Sequence, residues 1–321
     1  MLRAMPRPVD YAALPTEQPN PRSRNFDRLP LSQLLRLINA EDATVPRAIA
    51  RAIPAIEHGV RVLVRSLSTG GRVFFVGAGT SGRLGVIEAA ECPPTFNTPP
   101  SMVQAIIAGG RGAVFRSREG AEDNRADAAR RIAARVRRGD VVVGIAASGV
   151  TPFVAAALHT ARELGAATVL LTCHPRADAA ADVVIAPRVG PELITGSTRL
   201  KAGTATKLAL NMLTVATMTQ LGKVYGHWMV DVRPTSKKLA ARALRIIQAV
   251  ANVDEPQARR ALRRCDGEVK TAIVVAAKAI DPDAARRLLA DHRGRLREIL
   301  ETSRAARPPR IRRRRAAIAT A

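Results

Sequence analysis

Residues 72–82 read RVFFVGAGTSG, and this stretch decides the fold. Arg72-Val73-Phe74-Phe75-Val76 is a short apolar run without helical spacing, as expected of a buried strand. It stops at Gly77-Ala78-Gly79-Thr80-Ser81-Gly82, where glycines and hydroxyls mark a loop. Working outward, four more runs behave alike. Residues 102–108 end at Gly109-Gly110, and residues 141–145 at Ala146-Ala147-Ser148-Gly149. Residues 168–172 end at Cys173-His174-Pro175, and residues 183–185 at Ala186-Pro187. Helix-compatible segments separate them, among them 119–138 and 152–165. Five strands alternating with helices predict an α/β fold with a doubly wound parallel sheet, covered on both faces. A ligand of such a sheet lies beyond the carboxyl ends of the strands, where these loops stand.

The flanks complete the layout. Residues 1–25 are rich in Pro, Arg and Asn and are expected to be extended. Helical periodicity runs in pieces from Leu31 to about Ser68. Residues 208–221 carry no charge and read as a buried helix. From about residue 236 the composition turns to Ala, Arg and Leu. Breaks at Asp254-Glu255-Pro256, Asp266-Gly267 and Asp281-Pro282 suggest short helices. The expected parts are an N-terminal segment 1–25, an α/β domain 26–235, a small helical domain 236–302 and a tail 303–321.

Composition sets limits on function. Of 321 residues, 47% are apolar, enough for a sizeable core. Aromatics are only 3%, which argues against stacked platforms for single-stranded nucleic acid. Net charge is +24. Residues 236–321 hold 22 Lys/Arg against 9 Asp/Glu, ending in Arg304, Arg307, Arg310 and Arg312 to Arg315. Such a run is expected to be a disordered tail, with nucleic acid or an anionic surface as its conceivable partner and plain solvation as the ordinary alternative. Cys92, Cys173 and Cys265 are widely spaced and odd in number. That spacing forms neither a zinc motif nor a disulfide framework, and it fits a reducing cytoplasm. No apolar leader follows Arg3 and Arg7. The longest uncharged run, 141–158, is interrupted by Ser148-Gly149 and Thr151-Pro152, so no membrane span is expected.

Three constellations carry chemistry. The first is the loop 77–82, a formal GxGxxG after a strand. A dinucleotide site wants an acidic residue closing the next strand, yet Gly109-Gly110-Arg111 stands there. Amides and hydroxyls of Gly79, Thr80 and Ser81 at a helix start suit a monoester phosphate instead. Ser148, Gly149 and Thr151 repeat the pattern one unit later. Either loop alone reads as an ordinary capped turn, whereas the pair suggests one phosphate held from two sides. The second is the carboxylates. Glu91 ends the helix that starts at the first loop, and Pro93-Pro94 are expected to stop that helix. If residues 119–123 are helical, Glu119 and Glu122 share a face. Two carboxylates in different environments can divide acid and base work, although each alone reads as a solvated helix residue. The third is TGSTRLKAGT, residues 195–204, in which Ser197 and Lys201 are candidate anion contacts and a capped helix start is the plain alternative.

The residues have a family likeness. GAGTSGRLGVIEAAECPPTF (77–96), EGAED (119–123), VGIAASGVTP (143–152) and TGSTRLKAGTATK (195–207) resemble the N-acetylmuramic acid 6-phosphate etherase family. So do TEQPN (16–20), INAED (38–42) and MVDV (229–232). The likeness spans roughly residues 15–300. It implies a sugar isomerase (SIS) fold, a homodimer, and cleavage of the D-lactyl ether by water. In the family pattern Glu91 matches the acid and Glu122 the second glutamate. Val150 stands where the family usually has Arg, His174 where Asn is usual, and Pro30-Leu31 where a Ser/Thr cap precedes the first helix.

The implied chemistry is an elimination. Loss of the C2 proton of the open-chain sugar gives an enolate that expels the lactate oxygen at C3, and water then adds. Two glutamates suffice for the proton transfers, so neither metal nor redox cofactor is expected. Two other classes share the loops. A non-catalytic SIS sensor would bind sugar phosphate without releasing lactate, and an aldose–ketose isomerase would yield a ketose.

Overall fold

The computed structural model describes residues 10–175 and 180–301. Residues 1–9, and the Arg-rich stretch 303–321 with its expected disorder and partners, lie outside the described residues. The chain divides into two compact units after Gln220. That border precedes the composition change near residue 236.

In the first unit, residues 10–28 are not extended. They wind through single 3-10 turns at Tyr11–Ala13, Pro21–Ser23 and Phe26–Arg28. Asp10 and Asn20 open the first two, their side chains accepting from the Ala12 and Arg22 amides. Helices α1 (Leu31–Asp42) and α2 (Val45–Ser68) follow. Along α2, Ala48, Ile49, Ala52, Ile56, Val60, Leu63 and Leu67 are buried at three- and four-residue spacing. Strands and helices then follow in the order β1 (Val73–Gly77), α3 (Gly79–Phe96), β2 (Val103–Ile107), α4 (Gly112–Phe115), α5 (Arg125–Ala133), β3 (Val141–Ile145), α6 (Pro152–Glu163), β4 (Ala167–Leu171) and β5 (Val183–Ile185). Helix α7 (Lys201–Gln220) ends the unit.

All five strands are parallel, in the order β2-β1-β3-β4-β5. Side chains alternate across the sheet. Phe74, Val76, Val142 and Leu170 pack with Ile132 of α5 and with Phe153 and Leu158 of α6. Phe75 and Ile145 face the opposite way, towards α3 at Gly85. Covering both faces keeps each strand's apolar residues from water, at about 1.5–3 kcal/mol per large side chain. At the amino ends of the strands, the Asp140 carboxylate is fully buried yet satisfied. It accepts from the Arg72 and Arg137 amides and from the Arg72 guanidinium.

The strand order reverses between β1 and β3. The chain leaves β1 for β2 on one side and returns to β3 on the other. At such a switch point the two departing loops part and open a crevice at the carboxyl ends. Those loops are the ones singled out in the sequence.

The second unit holds a hairpin, β6 (Val224–Tyr225) with β7 (Trp228–Met229), which periodicity did not reveal. Five helices follow: α8 (Lys237–Ala251), α9 (Glu255–Arg264), α10 (Val269–Lys278), α11 (Pro282–Asp291) and α12 (Leu296–Glu301). Their common core is built on Val230, Val232, Ile246, Ile247 and Ile273. Asp254 and Gln257 form a reciprocal capping box and Asp281 caps α11, so two of the three breaks seen in the sequence are helix starts, while Asp266-Gly267 is a left-handed turn between α9 and α10.

Candidate active site

A cavity of about 290 Å³ occupies the switch point. Gly79, Thr80 and Ser81 line it from the loop after β1. Ser148, Val150 and Thr151 line it from the loop after β3. Gly82 lets α3 start this close to the strand, because a Cβ there would lie 2.7 Å from the Gly77 carbonyl oxygen. The first residues of α3 and α6, Gly79 and Pro152, both border the cavity. Two helix N-termini, with free amides and positive dipole ends, therefore converge on one space. That arrangement suits an anion although no lysine or arginine stands among the lining residues.

Three carboxylates also line the cavity. Glu122 and Asp123 come from a single 3-10 turn at Ala121–Asp123, and Glu17 comes from the N-terminal segment. The expected helix over residues 119–138 is shortened to α5, so Glu119 and Glu122 do not share a helical face. The cause is Gly120, whose φ of +70° puts a left-handed residue between them. Glu122 also lines an adjoining cavity of about 110 Å³ beside Arg83 and Arg118.

Four of the sequence-predicted residues lie outside the lining of the main cavity. Gly149 closes the second loop, its amide donating to the Ala146 carbonyl at 2.9 Å. Ser197 sits between the lining residues Gly196 and Thr198, its amide donating to the Ile194 carbonyl at 2.9 Å. Lys201 is 4% exposed and bonded to Glu41 at 2.5 Å, so its ammonium is occupied within the fold. Glu41 also accepts from Asn20 at 2.8 Å and Arg22 at 2.7 Å. Burial works against its ionisation, but hydrogen bonds from Lys201 and Asn20 outweigh it and hold its pKa below the usual value. Glu192 accepts from the Lys201 and Ala202 amides at the start of α7. Burial pushes its pKa up, and these bonds offset that only in part.

Glu91 is exposed near the far end of α3. It lies twelve residues past Gly79, about 18 Å along the helix axis. Pro93 and Pro94 do not stop α3, which runs on to Phe96 and ends at left-handed Asn97. The last turn survives because the Asn97 amide still reaches the Pro93 carbonyl. Beside Glu91, Glu88 is buried and accepts from Lys207 at 2.9 Å and from Thr214. Burial, then the charges of Glu88 and Glu91, push the Cys92 thiol up to about 12, so it is a packed thiol and not a nucleophile.

Sequence reasoning did not assign Glu17, Asp123 or Thr198 to the site. Glu17 had a signal, the TEQPN motif, but no local pattern to say where it pointed.

The topology and the paired loops define a sugar isomerase-type domain. Two family profiles match accordingly: the glucokinase regulatory protein N-terminal SIS domain over residues 55–162 and the SIS domain over residues 122–216. Among curated relatives, a protein of Salinibacter ruber named N-acetylmuramic acid 6-phosphate etherase is 49% identical, the match covering 92% of this chain and 99% of that protein. Proteins of the same name from Rhodopirellula baltica and Symbiobacterium thermophilum are 48% and 52% identical, over 90% and 83% of this chain and 97% and 89% of theirs. The chain belongs to the N-acetylmuramic acid 6-phosphate etherase family.

Proposed function

We propose that this protein cleaves the D-lactyl ether of N-acetylmuramic acid 6-phosphate, giving N-acetylglucosamine 6-phosphate and D-lactate. The observation that carries the reading is the polarity of the cavity. Hydroxyl loops and two helix N-termini line it together with the Glu122 carboxylate. A phosphate held at the helix N-termini leaves the sugar in the rest of the cavity, among its carboxylates. Glu122 takes the C2 proton, the enolate expels the oxygen at C3, and a second carboxylic acid protonates the departing lactate. Water then adds across C2 and C3, returning a proton to C2 and a hydroxyl to C3. No lining side chain requires a metal or redox cofactor for these steps.

The second acid is Glu91 of another copy. A hexose ring is far shorter than the 18 Å between Glu91 and the phosphate loop of its own chain. Ile87 shares the Glu91 face of α3, and Met212 and Val215 follow on α7, all exposed. Exposed apolar residues on α3 and α7, with Ile87 one turn from Glu91, support a symmetric homodimer whose copies exchange Glu91. The three buried free thiols fit a reducing cytoplasm, and no helix among the described residues is long and apolar enough to cross a membrane. The test is incubation with N-acetylmuramic acid 6-phosphate and measurement of D-lactate. Release of lactate is expected. Formation of a ketose, or binding without turnover, would overturn the reading.

A further inference from the structure

We infer that Glu17 is a substrate contact, a carboxylate that accepts hydrogen bonds from the hydroxyls or acetamido N–H of the sugar. The inference rests on reading the cavity as a sugar-phosphate site, and it adds a residue from outside the α/β unit's loops.

Glu17 lines the cavity, yet its neighbours are held in the fold. Leu14, Thr16 and Asn20 are buried, whereas the Glu17 side chain is exposed towards the open space. The segment is anchored on both sides of it. The Gly196 amide donates to the Thr16 carbonyl at 3.2 Å. The Asn20 amide group donates to Glu41 and to the Pro191 carbonyl. Glu41 in turn is held by Lys201 at the start of α7. The N-terminal segment is thus fastened where Glu17 meets the cavity.

Gly196 makes room for the carboxylate. A Cβ there would lie 2.9 Å from Glu17 Oε2, and its φ of +77° already favours glycine. Among the described residues, the Glu17 side chain accepts only a long bond from the Thr16 hydroxyl, at 3.4 Å. Among the described residues no Lys, Arg or His forms an ion pair with it. An ionised carboxylate accepts and cannot donate, so its partner must be a donor. A phosphate offers acceptors and like charge and is repelled by Glu17. A hexosamine offers hydroxyls and an amide N–H. Glu17 therefore selects the sugar end of the ligand and enforces its orientation relative to the phosphate loops.

Calorimetry with the full chain and two probes tests this. Glu17→Gln and Glu17→Ala should each weaken N-acetylglucosamine 6-phosphate by about tenfold or more, the size expected for losing a hydrogen bond to a charged group. Inorganic phosphate should bind both variants as tightly as wild type, or more tightly. Sugar phosphate affinity within about twofold of wild type overturns the inference. A parallel loss for inorganic phosphate also overturns it, because that reports damage to the loops. The outcome is separate from turnover. If wild type releases no lactate while the selective loss stands, the etherase reading falls and the Glu17 contact remains. If wild type does not bind the sugar phosphate at all, both fall.

Discussion

Ser81 and Ser148 line the cavity and are the residues proposed to hold the phosphate. Ser81 lies in the first turn of α3 and Ser148 in the loop leading to α6, next to unpaired helix amides to which a hydroxyl adds one directed donor. Alanine at either position should mainly raise KM, by about tenfold or more, the loss of one bond to a charged group. Unchanged KM in both variants would remove the two-loop site. In the proposed mechanism the glutamates divide the proton transfers, so their variants should differ in kind. Glu122→Gln and Glu91→Gln should each lower kcat by roughly 10²–10⁴-fold. Solvent deuterium should still enter C2 in Glu91→Gln and should fail to enter in Glu122→Gln. The reverse pattern would exchange the roles. If Glu91 serves the partner's site, as proposed, a mixture of the two inactive variants should regain lactate release as subunits exchange. Silence of that mixture, with exchange demonstrated, would return Glu91 to a structural role.

Between elements, the Glu41–Lys201 pair joins the end of α1 to the start of α7 and collects Asn20 and Arg22 from the N-terminal segment. Both side chains are almost wholly buried. Removing one partner of a buried pair strands the other charge, at about 3–5 kcal/mol. Glu41→Ala should fall near 3 kcal/mol, because Glu192 still feels the Lys201 charge. Urea midpoints would measure it. Replacing both partners, as Glu41→Leu with Lys201→Met, should recover part of the loss, since an apolar pair leaves no charge uncompensated. A double variant weaker than the single would show that the pair's hydrogen bonds matter more than the stranded charge.

For the whole molecule, the same pair sets an acid limit. The native pKa of Glu41 is held below its usual value, so its contribution is present above the unfolded pKa of about 4.3. That contribution is lost as pH falls through the native value. Glu192 runs the other way. Its native pKa is raised by burial, so ionising it erodes stability as pH climbs from the unfolded value through the native one. The two oppose each other at mildly acid pH, and below about 4.3 the loss from Glu41 prevails. Stability against urea should therefore drop steeply below that pH in wild type and less steeply in Glu41→Gln. Identical slopes would mean that other carboxylates govern acid unfolding.

What the sequence determined by itself was local. The five strands were legible because each apolar run and its terminating Gly/Ser loop lie within a few residues. The parallel sheet followed from their alternation with helices. From the sheet followed the place of Ser81 and Ser148, since loops at the carboxyl ends of parallel strands share one edge. Glu122 was legible as a residue but not as a geometry, because Gly120 broke the helix that would have set its direction. Lys201 looked like an anion contact for the same reason that Glu17 went unassigned. Their partners, Glu41 and Gly196, lie 160 and 179 residues away in the chain. Whether a charge faces a ligand or a buried counter-charge depends on which distant segment folds against it. No local propensity or period encodes that choice. Only the packed α/β unit turned Lys201 inward, left Glu91 on an exposed apolar face, and brought the N-terminal segment to the rim of the cavity.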